Sequence, residues 1–134
     1  MPNRILTRAD LNERNEYAES DSLHVDGTLT IPAELGMVYF RGSVTAEGDI
    51  RAGWGIRAGR GIDAGHSIRA GGGITAGWDI RAGGGITAGD GITAGWGITA
   101  GLGITAGWGI TAVDGIEAGG GITAEGSIAT SGRI

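Results

Sequence analysis

Cysteine is absent from the 134 residues, which excludes a disulfide framework and a thiolate metal site. Lysine is absent as well, so all ten basic residues are arginine. Proline occurs only twice. That rules out collagen in spite of the 30 glycines, because a triple helix needs abundant proline and Gly at every third position. No apolar run approaches the roughly 18 residues of a membrane span. The opening residues MPNRILTRADLNERNEYAES lack the apolar centre of a secretion signal. These absences set the expectation of a cytoplasmic chain with no membrane partner. The net charge of −5 gives no support for nucleic-acid binding by the whole surface, so no nucleic-acid partner is expected.

What is present is order. Hydrophobic residues make up 40% of the chain, too many for disorder. From residue 44 onward a six-residue unit, I-x-A-G-x-G, runs without a break. Ile recurs at every sixth position from Ile50 to Ile134, fifteen times in succession. Ala follows two residues behind, fourteen times from Ala46 to Ala124, and 27 of the 30 glycines fall in this stretch. A period of six does not fit the 3.6 residues of a helical turn, and glycine at this density melts helices.

Each unit reads as a strand and a corner. In I-x-A the first and third side chains share one face and the second points the other way. Ile and Ala therefore face inward, and Thr or Arg outward. G-x-G then turns the chain, with Gly expected to supply positive φ. Three strands per turn make an eighteen-residue coil, so residues 44–134 predict about five coils stacked to roughly 24 Å. The expected fold is all-β, a three-sided parallel β-solenoid. The hexad resembles the left-handed hexapeptide-repeat β-helix of acyltransferases, and also the bactofilins, bacterial polymer-forming solenoids. In the acyltransferase motif the large aliphatic residue stands last in the strand; here Ile stands first. The resemblance implies a left-handed coil and, through the bactofilins, self-assembly.

Residues 1–43 are expected to cap the solenoid. Thr7, with Asp10 three residues on, reads as a capping box opening a helix over about 8–18, with Leu6 and Leu11 as a staple. Leu23, Val25, Leu29 and Ile31 alternate as one strand over about 23–31, and Pro32 ends it.

Positions eighteen apart stack into columns. One corner column reads Arg60, Trp78, Trp96, Asp114; a second Trp54, Gly72, Asp90, Trp108; a third His66, Gly84, Leu102, Gly120. An interior of Ile and Ala has no room for indole, so all four Trp lie outside. Two readings stay open: Trp54, Trp78, Trp96 and Trp108 form a binding edge together with Arg60, or Trp78 and Trp96 stack on each other under a cation–π contact from Arg60. Arg51, Arg57 and Arg69 offer an anion patch or, equally, a solvated face. Residues 51–81 hold five Arg against two acids, +3, and residues 82–134 one Arg against four acids, −3.

No catalytic constellation stands out. The two His, His24 and His66, are far apart in sequence, no loop interrupts the repeat as an acyltransferase would need, and no metal-ligand cluster or cofactor motif is visible. Arg in every outward column argues against an ice-binding array of Thr. The function expected is a non-catalytic rigid scaffold that self-associates tail to tail through Ile116, Ile122, Ile128 and Ile134. The alternatives are an inhibitor or adaptor, acidic in the manner of a DNA mimic, docking on another protein through its Trp edge, and an acyltransferase.

Overall fold

A computed structural model describes residues 3–130 and Gly132. Among these residues nineteen short strands form three parallel sheets of seven, six and six strands. The first face stacks Arg4–Ile5, Leu29–Ile31, Ile50–Ala52, Ile68–Ala70, Ile86–Ala88, Ile104–Ala106 and Ile122–Ala124. The second runs from Val38–Phe40 through Ile56–Ala58, Ile74–Ala76, Ile92–Ala94 and Ile110–Ala112 to Ile128–Thr130. The third runs from Leu23–Val25 through Val44–Ala46, Ile62–Ala64, Ile80–Ala82 and Gly97–Ala100 to Gly115–Ala118. Successive strands of a chain turn lie on successive faces, and each pairs with the strand one coil away. Ile50 sits beside Ile68, Ile68 beside Ile86, and Ile86 beside Ile104. The fold is thus a three-sided parallel β-solenoid, with about six coils.

The interior is a column of aliphatic side chains. All twelve Ile from Ile50 to Ile116 are completely buried, and among the described residues no polar side chain is buried. Ala takes the remaining inward place at the other end of each strand, from Ala46 to Ala112. Toward the last coils the column opens: Ala118, Ile122, Ala124 and Ile128 are only partly buried. Ile134 lies outside the described residues.

The coil register begins earlier than residue 44. The strand expected over 23–31 is two strands, Leu23–Val25 and Leu29–Ile31, on different faces. The alternation of Leu23, Val25, Leu29 and Ile31 fits a hexad with its corner at Gly27 as well as it fits a single strand. The first turn is longer than the rest. Leu23 pairs with Val44 and Leu29 with Ile50, an offset of 21, whereas Val38 pairs with Ile56. The extra residues lie between Ile31 and Val38, where a 3-10 turn over Ala33–Leu35 tucks Leu35 into the core.

The helix expected over about 8–18 does not form. Only a 3-10 turn spans Arg8–Asp10. Asp10 accepts from the Thr7 amide at 2.8 Å, which is one half of a capping box, and from the Thr7 hydroxyl at 3.3 Å. Beyond it, the Asn12 side chain accepts from the amides of Arg14 and Glu16, offering the backbone an alternative to a helix. Asn15 then turns the chain with a φ of 62°, and Leu11 bridges Tyr17 antiparallel. Leu6 and Tyr17 of this segment are nevertheless buried in the core, and the Tyr17 ring lies 5.4 Å from Phe40.

The repeat glycines serve a different purpose from the one expected. Among the described residues, only Asn15 and Gly36 have positive φ. The glycine after each inward Ala is required by close approach instead. A Cβ on Gly95 would collide with the carbonyl oxygen of Gly77, one coil earlier, and Gly77 meets Gly59 in the same way. The stacking distance of parallel strands crowds a side chain there, and only Glu47, Val113 and Glu125 follow an inward Ala in place of glycine.

Candidate functional site

The corner residues of the column that begins at Arg60 are held by the backbone beneath them. The amides of Trp78, Trp96 and Asp114 donate to the carbonyls of Arg60, Trp78 and Trp96 at 3.1, 2.9 and 2.8 Å. That ladder brings the side chains of one column into contact. The Trp78 and Trp96 rings stack at 5.2 Å and 4° between planes, and the Arg60 guanidinium lies 5.4 Å over Trp78. Both indoles are nearly half-exposed, yet each has a partner within the chain. Trp54 folds across Gly72, its Cδ2 only 3.2 Å from the place a Cβ would take.

Trp108 differs from the other three. It is 71% exposed and flanks Asp90, Thr93 and Thr111 at the edge between the first and second faces. Leu102, 64% exposed, stands at the corner before it, and Val113, 52% exposed, at the corner after it. Three consecutive corners of a single coil, residues 98–115, thus carry large apolar side chains in solvent. The Trp edge read from the sequence divides accordingly into a self-packed ladder and an apolar girdle nearer the C-terminal end.

The arginines divide too. Arg51 and Arg69 are direct neighbours on the first face. Arg51 lies 3.2 Å from Asp49, which also accepts from the Ser67 amide at 2.9 Å. Arg57 is on the second face, its guanidinium 5.6 Å from the Tyr39 ring, and Arg60 is committed to the Trp ladder. The three residues of the expected anion patch therefore do not converge, and only Arg51 and Arg69 share a surface.

On the third face Asp63 pairs in register with Arg81, which lies 3.7 Å from Asp79. Partial burial pushes the Asp63 carboxyl above its ordinary range; Arg81 opposes the shift and the charge on Asp79 adds to it. At the N-terminal end the Thr7 amide, aided by Arg4, holds Asp10 below the ordinary carboxylate range.

One cluster was missed in the sequence. His24, Asp26 and Glu47 come together on the surface, with ligand atoms all within 4.8 Å of one another. Asp26 is two residues from His24, but Glu47 is 23 away. The lengthened first turn conceals the relation, because an eighteen-residue stack aligns Glu47 with Leu29 rather than with Asp26.

Of the expected association surface, Ile116 is fully buried, while Ile122 and Ile128 are partly exposed. Among the described residues no helix is long and apolar enough to cross a membrane. No protein-family model, curated protein or solved structure matches this chain.

Proposed function

We propose that the chain is a rigid, non-catalytic scaffold that associates with its own copies through its C-terminal coils. The observation that carries this reading is the girdle of Leu102, Trp108 and Val113 around one coil, each more than half exposed. Large apolar side chains in solvent mark contact surfaces, and Trp is prominent among binding hot spots. The partly open Ile122 and Ile128 lie on the same half of the solenoid and supply an apolar centre for the contact. A two-fold, tail-to-tail dimer is the simplest closed arrangement. The bactofilin-like hexad supports the same direction of thought, that of a solenoid used as a building element.

Light scattering over a concentration series tests the proposal. A dimer that becomes a monomer on Leu102→Ser/Trp108→Ser, with unchanged circular dichroism, is the expected result. Tail-to-tail contact brings together two halves that each carry −3, and head-to-tail contact would join −3 to residues 1–50, whose four Arg against nine acids give −5, so screening by salt strengthens either arrangement. A parent protein that stays monomeric at high concentration overturns the reading.

A further inference from the structure

We propose that His24, Asp26 and Glu47 bind one divalent transition-metal ion of the zinc type. The site belongs to the scaffold of the first two coils and is independent of any self-association.

The backbone beneath the three side chains is fixed. His24 is the outward residue of Leu23–Val25 and pairs in register with Thr45 of the next coil. Asp26 opens the corner that follows it, and Glu47 opens the equivalent corner one coil on. The Glu47 amide donates to the Val25 carbonyl at 3.0 Å and the Gly48 amide to the Gly27 carbonyl at 2.9 Å. Only side-chain torsions remain to be ordered by a ligand.

The spacing suits an ion. His24 Nε2 lies 3.1 Å from Asp26 Oδ1 and 3.6 Å from Glu47 Oε2. A tetrahedral ion with bonds of about 2.0–2.1 Å holds its ligand atoms roughly 3.3–3.4 Å apart. Two edges of that tetrahedron are therefore already in place, and the fourth position opens to water.

The charge suits it as well. Neighbouring acids have arginine partners: Asp21 and Glu16 share Arg41, and Asp49 holds Arg51. Among the described residues, Asp26 and Glu47 have only His24. A neutral imidazole leaves two carboxylates uncompensated on adjacent coils, which a divalent cation neutralises. One imidazole nitrogen with two carboxylate oxygens favours zinc, copper or nickel over magnesium or calcium, which take oxygen ligands throughout. The ion would staple the 21-residue first turn to the coil above it.

The test uses the full, untagged chain titrated with zinc chloride by calorimetry, alongside nuclear magnetic resonance of the two imidazoles. The other imidazole, His66, sits on the same edge one coil further on, its amide donating to the Gly48 carbonyl, and serves as the competing donor. The expected result is one equivalent of zinc per chain and movement of the His24 ring resonances. His24→Asn, Asp26→Asn and Glu47→Gln should each weaken binding by about tenfold or more, with unchanged circular dichroism. Zinc should raise the Tm of the parent protein and not of His24→Asn. The proposal is overturned by the absence of zinc binding, by half an equivalent per chain, or by His66→Asn removing the binding that His24→Asn leaves intact.

Discussion

Replacing Gly95 with Ala sets two opposing effects against each other. At a position with ordinary φ, Gly→Ala stabilises a protein by about 0.4–1 kcal/mol, because the unfolded chain has less freedom to lose. Gly95 has ordinary φ, so that argument alone predicts a more stable protein. The new Cβ, however, would press on the Gly77 carbonyl. Relieving it means moving the corner away and giving up the Gly95 amide's bond to the Ala76 carbonyl, 3.0 Å long. The chain contains its own precedent. The equivalent amides of Gly101, Gly107 and Gly119 make the same bond at 3.0 Å. Of the non-glycines at that place, Glu125 makes it at 3.4 Å and, among the described residues, Val113 does not make it at all, whereas Glu47, which stands over the longer first turn, keeps it at 3.0 Å. An unsatisfied amide costs about 1–3 kcal/mol. The net effect of Gly95→Ala is thus a loss of about 1–2 kcal/mol, a fall in Tm of roughly 4–8 °C at about 4 °C per kcal/mol for a chain of this size. Thermal melts followed by far-ultraviolet circular dichroism read it directly. Gly91→Ala is the control, since its Cβ would meet only an ordinary contact at 3.4 Å from the Gly109 oxygen, and it should be neutral or stabilising. A Gly95 variant as stable as the parent, or more so, refutes the close-approach argument.

Three further perturbations follow from the same structure. Ile92, fully buried in the middle of the column, should cost about 2–5 kcal/mol as Ala and abolish cooperative β-structure as Asp, both measured by urea unfolding. Asn15→Ala loses the side-chain bonds to the carbonyls of Leu35 and Met37 at a positive φ, so it should destabilise by about 1–3 kcal/mol; Asn15→Gly should lose less, and equal melting of the two would show that φ carries no strain. Asp10 has its carboxyl held below the usual range in the folded chain, so its stabilisation is complete above the unfolded-state value and disappears as pH falls through the folded one. Asp10→Asn should therefore flatten the acid limb of a Tm-against-pH series, and parallel limbs would contradict the assignment.

The repeat made the coil legible because its period and the inward pair are the same fact: Ile and Ala two apart can share only one side of an extended chain. Trp78, Trp96 and Arg60 were placeable for the same reason, since stacking at eighteen residues is arithmetic once three faces are assumed. The N-terminal segment resisted because its signals are local and compete. Thr7 and Asp10 open a helix, but Asn12 binds the backbone two and four residues on and Asn15 turns it at positive φ, which diverts it. Glu47 escaped notice because the extra residues between Ile31 and Val38 change the stacking arithmetic for that one turn. The glycines were noticed for their number and assigned the wrong cause, since a carbonyl one coil away leaves no mark on neighbouring residues in the chain.

The interior column has a consequence for how such a protein changes length. Ile and Ala repeat every six residues, but a full circuit takes eighteen. Duplicating or deleting one hexad would leave every inward contact of the downstream coils in place, yet carry each later corner to the adjacent edge. Trp96 would leave the edge it shares with Trp78, and Leu102, Trp108 and Val113 would change edges in concert. Only multiples of eighteen preserve the outer pattern. The core is indifferent to rotation by a third of a turn, and the surface alone records which residue stands over which.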